Sequence, residues 1–289
     1  MNKLINIIST FVAVLCFVSC KGNSKSEDEV NYYYNQKDGI QIKIEKKNIP
    51  YEFSEELVKL AEDGNAEAQY YLYHCYYNGK GVEKNRERAL LLLNESANQG
   101  YADAQLDMGL YAMFKCSYDK AFEWFMKAAN QDNAKAQQNV GYCYEKGVGV
   151  QKNDKEAFRW TKKAAEQGLA DAQWFLGDCY KEGIGVEINY DEAHRWYTKS
   201  AEQGLPEAQY QLYKSYLLGV GVQQDLNTAI KWLIKAAEQG NAPARYNLAV
   251  HYYNGQGLPQ EKNKAIRILK ELDQEGFQDA AIALQEIGK

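Results

Sequence analysis

Residues 133–168 read NAKAQQNVGYCYEKGVGVQKNDKEAFRWTKKAAEQG, and residues 169–204 read LADAQWFLGDCYKEGIGVEINYDEAHRWYTKSAEQG. The second block repeats most of the first, position by position. The same sequence pattern occurs six times in succession and ends at Gly276, with 36 residues in every unit except the second, which has 32. A period of this size predicts a solenoid of stacked helix pairs. Units 1 to 6 are residues 65–100, 101–132, 133–168, 169–204, 205–240 and 241–276.

Each unit carries two runs of small and apolar residues at helical spacing, separated by a glycine loop, which predicts a helix-turn-helix hairpin. Alanine occupies positions 4 and 25 of all six units and would allow close helix approach. Larger residues at position 8 and tryptophan at position 28 complete the predicted core. The position-28 tryptophans are Trp124, Trp160, Trp196 and Trp232.

The loop between the two helices reads G-x-G-V in units 1, 3, 4 and 5. Its first glycine falls where a left-handed helix cap is common, so we interpret the loop as a structural turn. A phosphate-binding loop is the alternative, but the third glycine and a preceding strand are missing. Unit 2 lacks both loop glycines, so its first helix must end differently.

The pattern A-x-x-x-L-G-x-x-Y-x-x-G-x-G-V, followed by K-A-x-x-W-x-x-K-A-A-E-Q-G, resembles the Sel1-like repeat, a relative of the tetratricopeptide repeat. The resemblance covers residues 53–289. It implies an all-α, right-handed superhelix of antiparallel helix pairs that acts as a scaffold for protein partners. Residues 54–64 and 277–287 resemble a lone second helix and a lone first helix, and are predicted to cap the two ends.

The N-terminus predicts export. Lys3 precedes an apolar stretch that is too short to span a bilayer, so residues 1–19 are predicted to be a signal peptide. Residues 17–20, Phe-Val-Ser-Cys, resemble the bacterial lipobox, which makes Cys20 the lipidated N-terminus; simple secretion is the alternative. Residues 20–52 form a predicted tether to the envelope, at the outer membrane. An acidic run at 26–29 leaves surface exposure open, and the strand-like pattern at residues 40–44 is left unassigned.

Composition excludes some functions. The net charge of −5 and the absence of a basic stripe argue against nucleic-acid binding, and we expect a monomer.

Four cysteines remain after Cys20, and three of them share position 11 of their units. At that spacing they are too far apart for disulfides and better suited to the core. These three are Cys75, Cys143 and Cys179. The histidines His74, His194 and His251 are scattered over three units, so we expect no metal site and no cofactor.

One motif suggests chemistry. Residues 117–120, Ser-Tyr-Asp-Lys, match the S-x-x-K spacing of penicillin-binding enzymes. The same residues also follow the register of the repeat, and the companion motifs are absent. A cell-wall-directed enzyme or glycan-binding protein is therefore the alternative function.

The principal hypothesis rests on residues that vary between units. Positions 3, 6, 10 and 13 of the first helix lie away from its packing stripe and are predicted to line a concave groove. Aromatic residues at positions 6 and 13 suit a peptide-binding groove. The predicted groove residues are Tyr70, Tyr77, Trp174, Tyr210, Tyr246 and Tyr253. The alternative is that these side chains pack between repeats. The sequence thus favours a non-catalytic, envelope-anchored scaffold for a protein or peptide.

Overall fold

The structure is a computed structural model that describes residues 32–35, 40–43 and 52–288. Strands β1 (Tyr32–Asn35) and β2 (Ile40–Lys43) pair antiparallel, with Tyr32 opposite Lys43. The isoleucine alternation therefore lies partly in β2. The predicted signal peptide, the lipidation site Cys20 and most of the predicted tether lie outside the described residues.

From residue 52 onward the described chain is a succession of helices, and the predicted all-α solenoid is confirmed. Helix α1 (Glu55–Glu62) and helix α14 (Gln278–Ile287) cap the two ends, as predicted. Between them, even-numbered helices are the first helices of their units and odd-numbered helices are the second. The pairs are α2 (Ala66–Asn78) with α3 (Arg86–Asn98), α4 (Ala102–Phe114) with α5 (Tyr118–Ala129), α6 (Ala134–Lys146) with α7 (Asp154–Glu166), α8 (Ala170–Glu182) with α9 (Tyr190–Glu202), α10 (Pro206–Leu218) with α11 (Leu226–Glu238), and α12 (Ala242–Asn254) with α13 (Lys262–Gln274). No helix among the described residues combines the length and apolar character needed to cross a membrane.

The helix ends follow from local side-chain chemistry. Asn133 precedes α6, and its Oδ1 accepts a hydrogen bond from the Ala136 amide at 3.0 Å. Gly147 ends the same helix in the left-handed conformation, with φ of 69°, as predicted for the first loop glycine. The second loop glycine, Gly149, has a different reason: a Cβ there would overlap the Tyr118 carbonyl at the start of α5. The loop is thus a contact between successive units.

Unit 2 ends its first helix differently, as predicted. Cys116 takes the left-handed conformation, with φ of 57°, and its amide donates to the Met113 carbonyl at 2.9 Å. A cysteine thereby occupies a backbone conformation that the other units assign to glycine.

The core confirms the alanine and cysteine predictions and corrects the tryptophan prediction. The alanines at positions 4 and 25 are buried in every unit, and Cys75, Cys143 and Cys179 are buried free thiols. Of the four tryptophans, Trp160 is buried, whereas Trp124, Trp196 and Trp232 are half-buried. The residue at position 29 is buried in all six units instead. These residues are Leu93, Phe125, Thr161, Tyr197, Leu233 and Leu269.

The half-buried tryptophans lie at the edge of the core because one residue turns a helix by about 100°. Their outer faces are covered by the lysine that follows three residues later. The arrangement is clearest in unit 4, where the Lys199 ammonium lies 3.9 Å from the Trp196 ring centroid. Each such contact is a cation–π interaction.

A ladder of glutamines joins the units. Position 5 is a buried glutamine in units 1 to 5, and its Nε2 donates to an alanine carbonyl at the end of the preceding helix. Gln173 donates in this way to the Ala165 carbonyl at 3.1 Å. Its Oε1 accepts from Gln203 Nε2, thirty residues later at position 35, at 2.7 Å. One side chain therefore binds both the preceding unit and the end of its own unit.

Unit 6 replaces this pair by an ion pair with the same thirty-residue separation. Arg245 stands at position 5, Glu275 stands at position 35, and Arg245 Nη1 lies 2.6 Å from Glu275 Oε2. Glu271 adds a second contact to the same guanidinium at 3.2 Å. The polar pair is thus retained while its chemistry changes at the end of the solenoid.

Candidate functional site

The candidate site is the face formed by the first helices, α2, α4, α6, α8, α10 and α12, which we call the first-helix face. Hydrogen bonds cross between successive first helices at this face. The Tyr70 hydroxyl on α2 donates to Asp107 Oδ2 on α4 at 2.9 Å. At the other end, Asn247 Nδ2 on α12 donates to the Tyr210 hydroxyl on α10 at 2.9 Å. In both bonds a position-6 side chain reaches position 7 of the next unit.

This geometry corrects the prediction for Tyr70, which we expected in an open groove. Its side chain is only 1% exposed, with its ring 5.2 Å from the Tyr101 ring and 4.6 Å from the His74 ring, measured between centroids. Burial raises its pKa well above the ordinary value for tyrosine, and the Asp107 charge adds to that effect. Tyr70 therefore belongs to the packing between units 1 and 2.

Three other position-6 residues are half-buried between repeats. Trp174 packs against the cluster that contains Ala208 and Leu212 of the next unit. The Tyr246 ring lies 5.8 Å from the Phe277 ring beyond it, and Tyr210 stacks on Tyr213. The interpretation that these residues pack between repeats therefore accounts for most of each ring, and only their outer edges reach solvent.

The two position-13 aromatics are more open. Tyr77 at the end of α2 is 43% exposed. Tyr253 at the end of α12 is half-buried, with the Lys262 ammonium 5.2 Å from its ring centroid. They lie in units 1 and 6, so the predicted aromatic row is not continuous along the face.

Position 10 supplies a half-buried side chain in every unit, which the sequence placed on this face without singling it out. The side chains change character along the solenoid, from histidine through aliphatic, phenolic, acidic and basic groups back to aliphatic. They are His74, Leu110, Tyr142, Asp178, Lys214 and Val250. These side chains retain some exposed surface, so a ligand on this face would contact them along with the exposed aromatic rings.

Units 4 and 5 bring titratable groups together on this face. The Tyr197 hydroxyl donates to Asp178 Oδ1 at 2.6 Å. Burial raises the pKa of Asp178, while the Tyr197 hydrogen bond opposes that shift. One unit later, burial lowers the pKa of Lys214 to about 8, with a further contribution from repulsion by Lys181. Such shifts mark charged groups that are poorly solvated.

His251 joins units 5 and 6 as a neutral ring. Its Nδ1 lies 2.7 Å from the Gln256 carbonyl oxygen, which can only accept, so Nδ1 carries the proton. Its Nε2 then accepts from the Tyr213 hydroxyl at 3.0 Å. Burial lowers the pKa of His251, in agreement with a neutral ring.

The residues that suggested cell-wall chemistry lie at the start of α5, where the Ser117 side chain makes no capping hydrogen bond. Ser117 is the N-cap residue of α5, and the Lys120 side chain is exposed in its first turn. The described residues contain no group of three or more histidines, cysteines or acidic residues placed to hold a metal ion.

Comparison with known proteins identifies the repeat. The family model described as the Sel1 repeat matches residues 66–101, 102–133, 134–169, 170–205, 206–241 and 242–271. The chain belongs to the Sel1 repeat family. Sel1 repeat proteins typically mediate protein–protein interactions, and the scaffold is generally non-catalytic.

Two solved structures share the fold of this Sel1 repeat protein. The protective antigen c5321 of uropathogenic Escherichia coli is 34% identical and superposes with a TM-score of 0.74 over 81% of this chain and 51% of its own. A Sel1 repeat protein from Oxalobacter formigenes is 35% identical, with a TM-score of 0.70 over 80% of this chain and 68% of its own.

Curated relatives match only part of the chain. DAP3-binding cell death enhancer 1 of Rattus norvegicus is 35% identical over 26% of this chain. The ERAD-associated E3 ubiquitin-protein ligase component HRD3B of Arabidopsis thaliana is 33% identical over 32% of it. The match spans about 15% of the length of each of these relatives.

Proposed function

We propose that this Sel1 repeat protein is a non-catalytic, monomeric scaffold, anchored to the bacterial envelope through a lipid on Cys20, that binds a protein or peptide on its first-helix face. The observation that carries the binding proposal is the position-10 row, which offers one half-buried group per unit along successive helices. An extended partner segment running along the solenoid would contact these groups in turn. The anchoring proposal rests on the sequence of residues 1–20.

The non-catalytic proposal draws support from how the polar groups of the face are used. Asp178 accepts from Tyr197 within unit 4, and both ring nitrogens of His251 are engaged, Nδ1 with Gln256 in the same unit and Nε2 with Tyr213 of unit 5. Groups held by such hydrogen bonds are suited to present a fixed surface. A general base, by contrast, must be free to exchange its proton with a substrate.

Capture from envelope extract tests the binding site. Wild-type protein is compared with a variant in which Tyr77, Tyr142 and Tyr253 are all replaced by serine, since these rings retain exposed surface on the first-helix face. The matched control is Leu91→Ser, because Leu91 is exposed on the second helix α3. A retained protein that is lost in the triple variant and kept in the control supports the proposal. Equal retention by all three proteins, each with an unchanged melting temperature, would refute it.

Fractionation of cells tests the anchor. We expect the full-length protein in the membrane fraction, and Cys20→Ala in the soluble fraction, because a lipidated cysteine supplies the membrane affinity. Recovery of the wild-type protein in the soluble fraction would contradict lipidation without affecting the binding proposal.

A further inference from the structure

Lys214 has an unusual environment on the first-helix face. It is half-buried at position 10 of unit 5, and its ammonium lies 5.1 Å from the centroid of the Tyr210 ring. Within residues 52–288, none of the hydrogen bonds or ion pairs of the structure involves its three N–H donors. An ammonium group that is partly removed from water and has no protein acceptor is incompletely solvated, and a ligand could supply a stronger acceptor than water.

A second lysine faces it from the preceding unit. Lys181 on α8 binds its neighbour Glu182, with Nζ 2.6 Å from Oε1, and still repels the Lys214 charge. Asp178 and Glu182 attract Lys214, but Asp178 Oδ1 already accepts from the Tyr197 hydroxyl and Glu182 binds Lys181. Two ammonium groups on neighbouring first helices thus lie close enough to repel each other.

Trp174 adds a donor on the same face of α8, one turn before Asp178. Its Nε1 is buried and has no hydrogen-bond partner among the residues that the structure describes. Trp174 packs against α10, the helix that carries Lys214. An indole N–H only donates, so this group too calls for an acceptor.

We propose that Lys214 binds a carboxylate of an extended partner segment on the first-helix face of units 4 and 5. The carboxylate belongs to an Asp or Glu side chain or to a C-terminus. It accepts a charge-assisted hydrogen bond from Lys214 and reduces the repulsion from Lys181. This carboxylate site rests on the proposed function, because it specifies the chemistry of the partner that binds the first-helix face.

The test follows Lys214 in the intact protein by NMR, with lysine labelled at the side-chain carbon beside the ammonium. Lys214→Arg assigns its signal. Three short peptides are added at millimolar concentration: a capped peptide with one glutamate, the same peptide with glutamine, and a glycine–serine peptide with a free C-terminal carboxylate. We expect one lysine to titrate near pH 8 in the free protein, and a carboxylate peptide to raise that midpoint.

Binding is then compared between variants. Lys214→Met should weaken binding of the effective peptide by about tenfold or more, as expected for loss of a charge-assisted bond. The matched control is Lys199→Met on α9, whose ammonium covers Trp196 on a second helix, and it should bind as wild type. The glutamate and C-terminal peptides distinguish the two sources of carboxylate.

Three results would overturn the proposal: a Lys214 midpoint that matches the other lysines, a midpoint that neither carboxylate peptide raises above its value with the glutamine peptide, or wild-type binding by Lys214→Met. Melting temperatures establish that each variant is folded. A partner captured on this face that binds equally well to Lys214→Met would refute the carboxylate site and leave the scaffold function intact.

Discussion

Replacing Gln173 by alanine should weaken the solenoid more than its polar side chain suggests. The substitution removes the hydrogen bond to the Ala165 carbonyl and the hydrogen bond from Gln203. Each bond contributes about 0.5–1.5 kcal/mol, and each buried methylene adds about 0.8 kcal/mol. The Ala165 carbonyl keeps its bond from the Gly168 amide, so no large penalty for an unpaired group is added. We expect a loss of about 3 kcal/mol.

Gln203→Ala is the matched comparison, because it removes the shared hydrogen bond and a second one to the Gly168 carbonyl, but from an exposed side chain. It should cost about 1–2 kcal/mol. The double variant should cost less than the two single variants together, since both remove the bond that the two side chains share.

The ion pair of unit 6 provides a second control. Gln173→Arg combined with Gln203→Glu copies the Arg245–Glu275 pair at the same separation. This double variant should be more stable than Gln173→Arg alone, because the glutamate neutralises a partly buried guanidinium. It should remain below wild type, since Lys199 stands where unit 6 has Glu271.

Urea unfolding followed by circular dichroism at 222 nm measures these differences, with the denaturant slope compared as well as the midpoint. A change in slope would show that the repeats unfold in separate steps. A Gln173→Ala variant within about 0.5 kcal/mol of wild type, or a Gln203→Ala variant that is equally destabilised, would contradict the stabilising role of the glutamine ladder.

Four other substitutions test single residues. Burial lowers the pKa of His251 below its ordinary value of 6.5, so the contribution of the neutral ring to stability should be complete above pH 6.5 and decline as the pH falls. His251→Gln should therefore reduce the pH dependence of the melting temperature between pH 7.5 and 5. An unchanged pH dependence would contradict this. Lys214→Met should stabilise the protein by about 1–3 kcal/mol at pH 7, because it removes a poorly solvated charge. The gain in stability should shrink as the pH rises from 8 toward 10.5, since wild-type Lys214 then loses its charge. A gain that is constant with pH would contradict this explanation. Cys116→Gly should raise the free energy of unfolding by about 0.5–1 kcal/mol, because it removes a cysteine from the left-handed conformation. Gly149→Ala should lower the free energy of unfolding by more than about 1 kcal/mol, because the added Cβ would overlap the Tyr118 carbonyl. Stabilisation by both substitutions would show that the loop contact between units is unimportant.

The repeat predicted the fold because its period and its alanines are determined by close packing that recurs in every unit. It could not predict that Tyr70 is buried, because helical periodicity gives the angle of a side chain around its own helix and not the axial offset of the next helix. That offset places Asp107 within reach of the Tyr70 hydroxyl and closes the space between α2 and α4.

Other features were visible in the sequence but ambiguous. Glutamine recurs at position 5 and again thirty residues later, or twenty-six in the shortened unit 2, in five units, yet polar residues at such a spacing are equally typical of a solvated surface. The environment of Lys214 depends on Lys181 and Asp178 from another unit, so it required the packed structure. Tyr77 is exposed, which agrees with a position outside the core, and its place in a partner groove stays a prediction.

The glutamine ladder makes the units interchangeable. Gln209 binds the Ala201 carbonyl of unit 4, and Gln173 binds the Ala165 carbonyl of unit 3, with the same groups at the same repeat positions. Removing residues 169–204 as one block would bring Gln209 to Ala165 and leave an equivalent junction. Whole repeats can therefore be gained or lost during evolution while the contacts at the junction between successive units stay the same. Each such change would add or remove one position-10 side chain from the first-helix face, altering what the surface recognises while the rod remains intact.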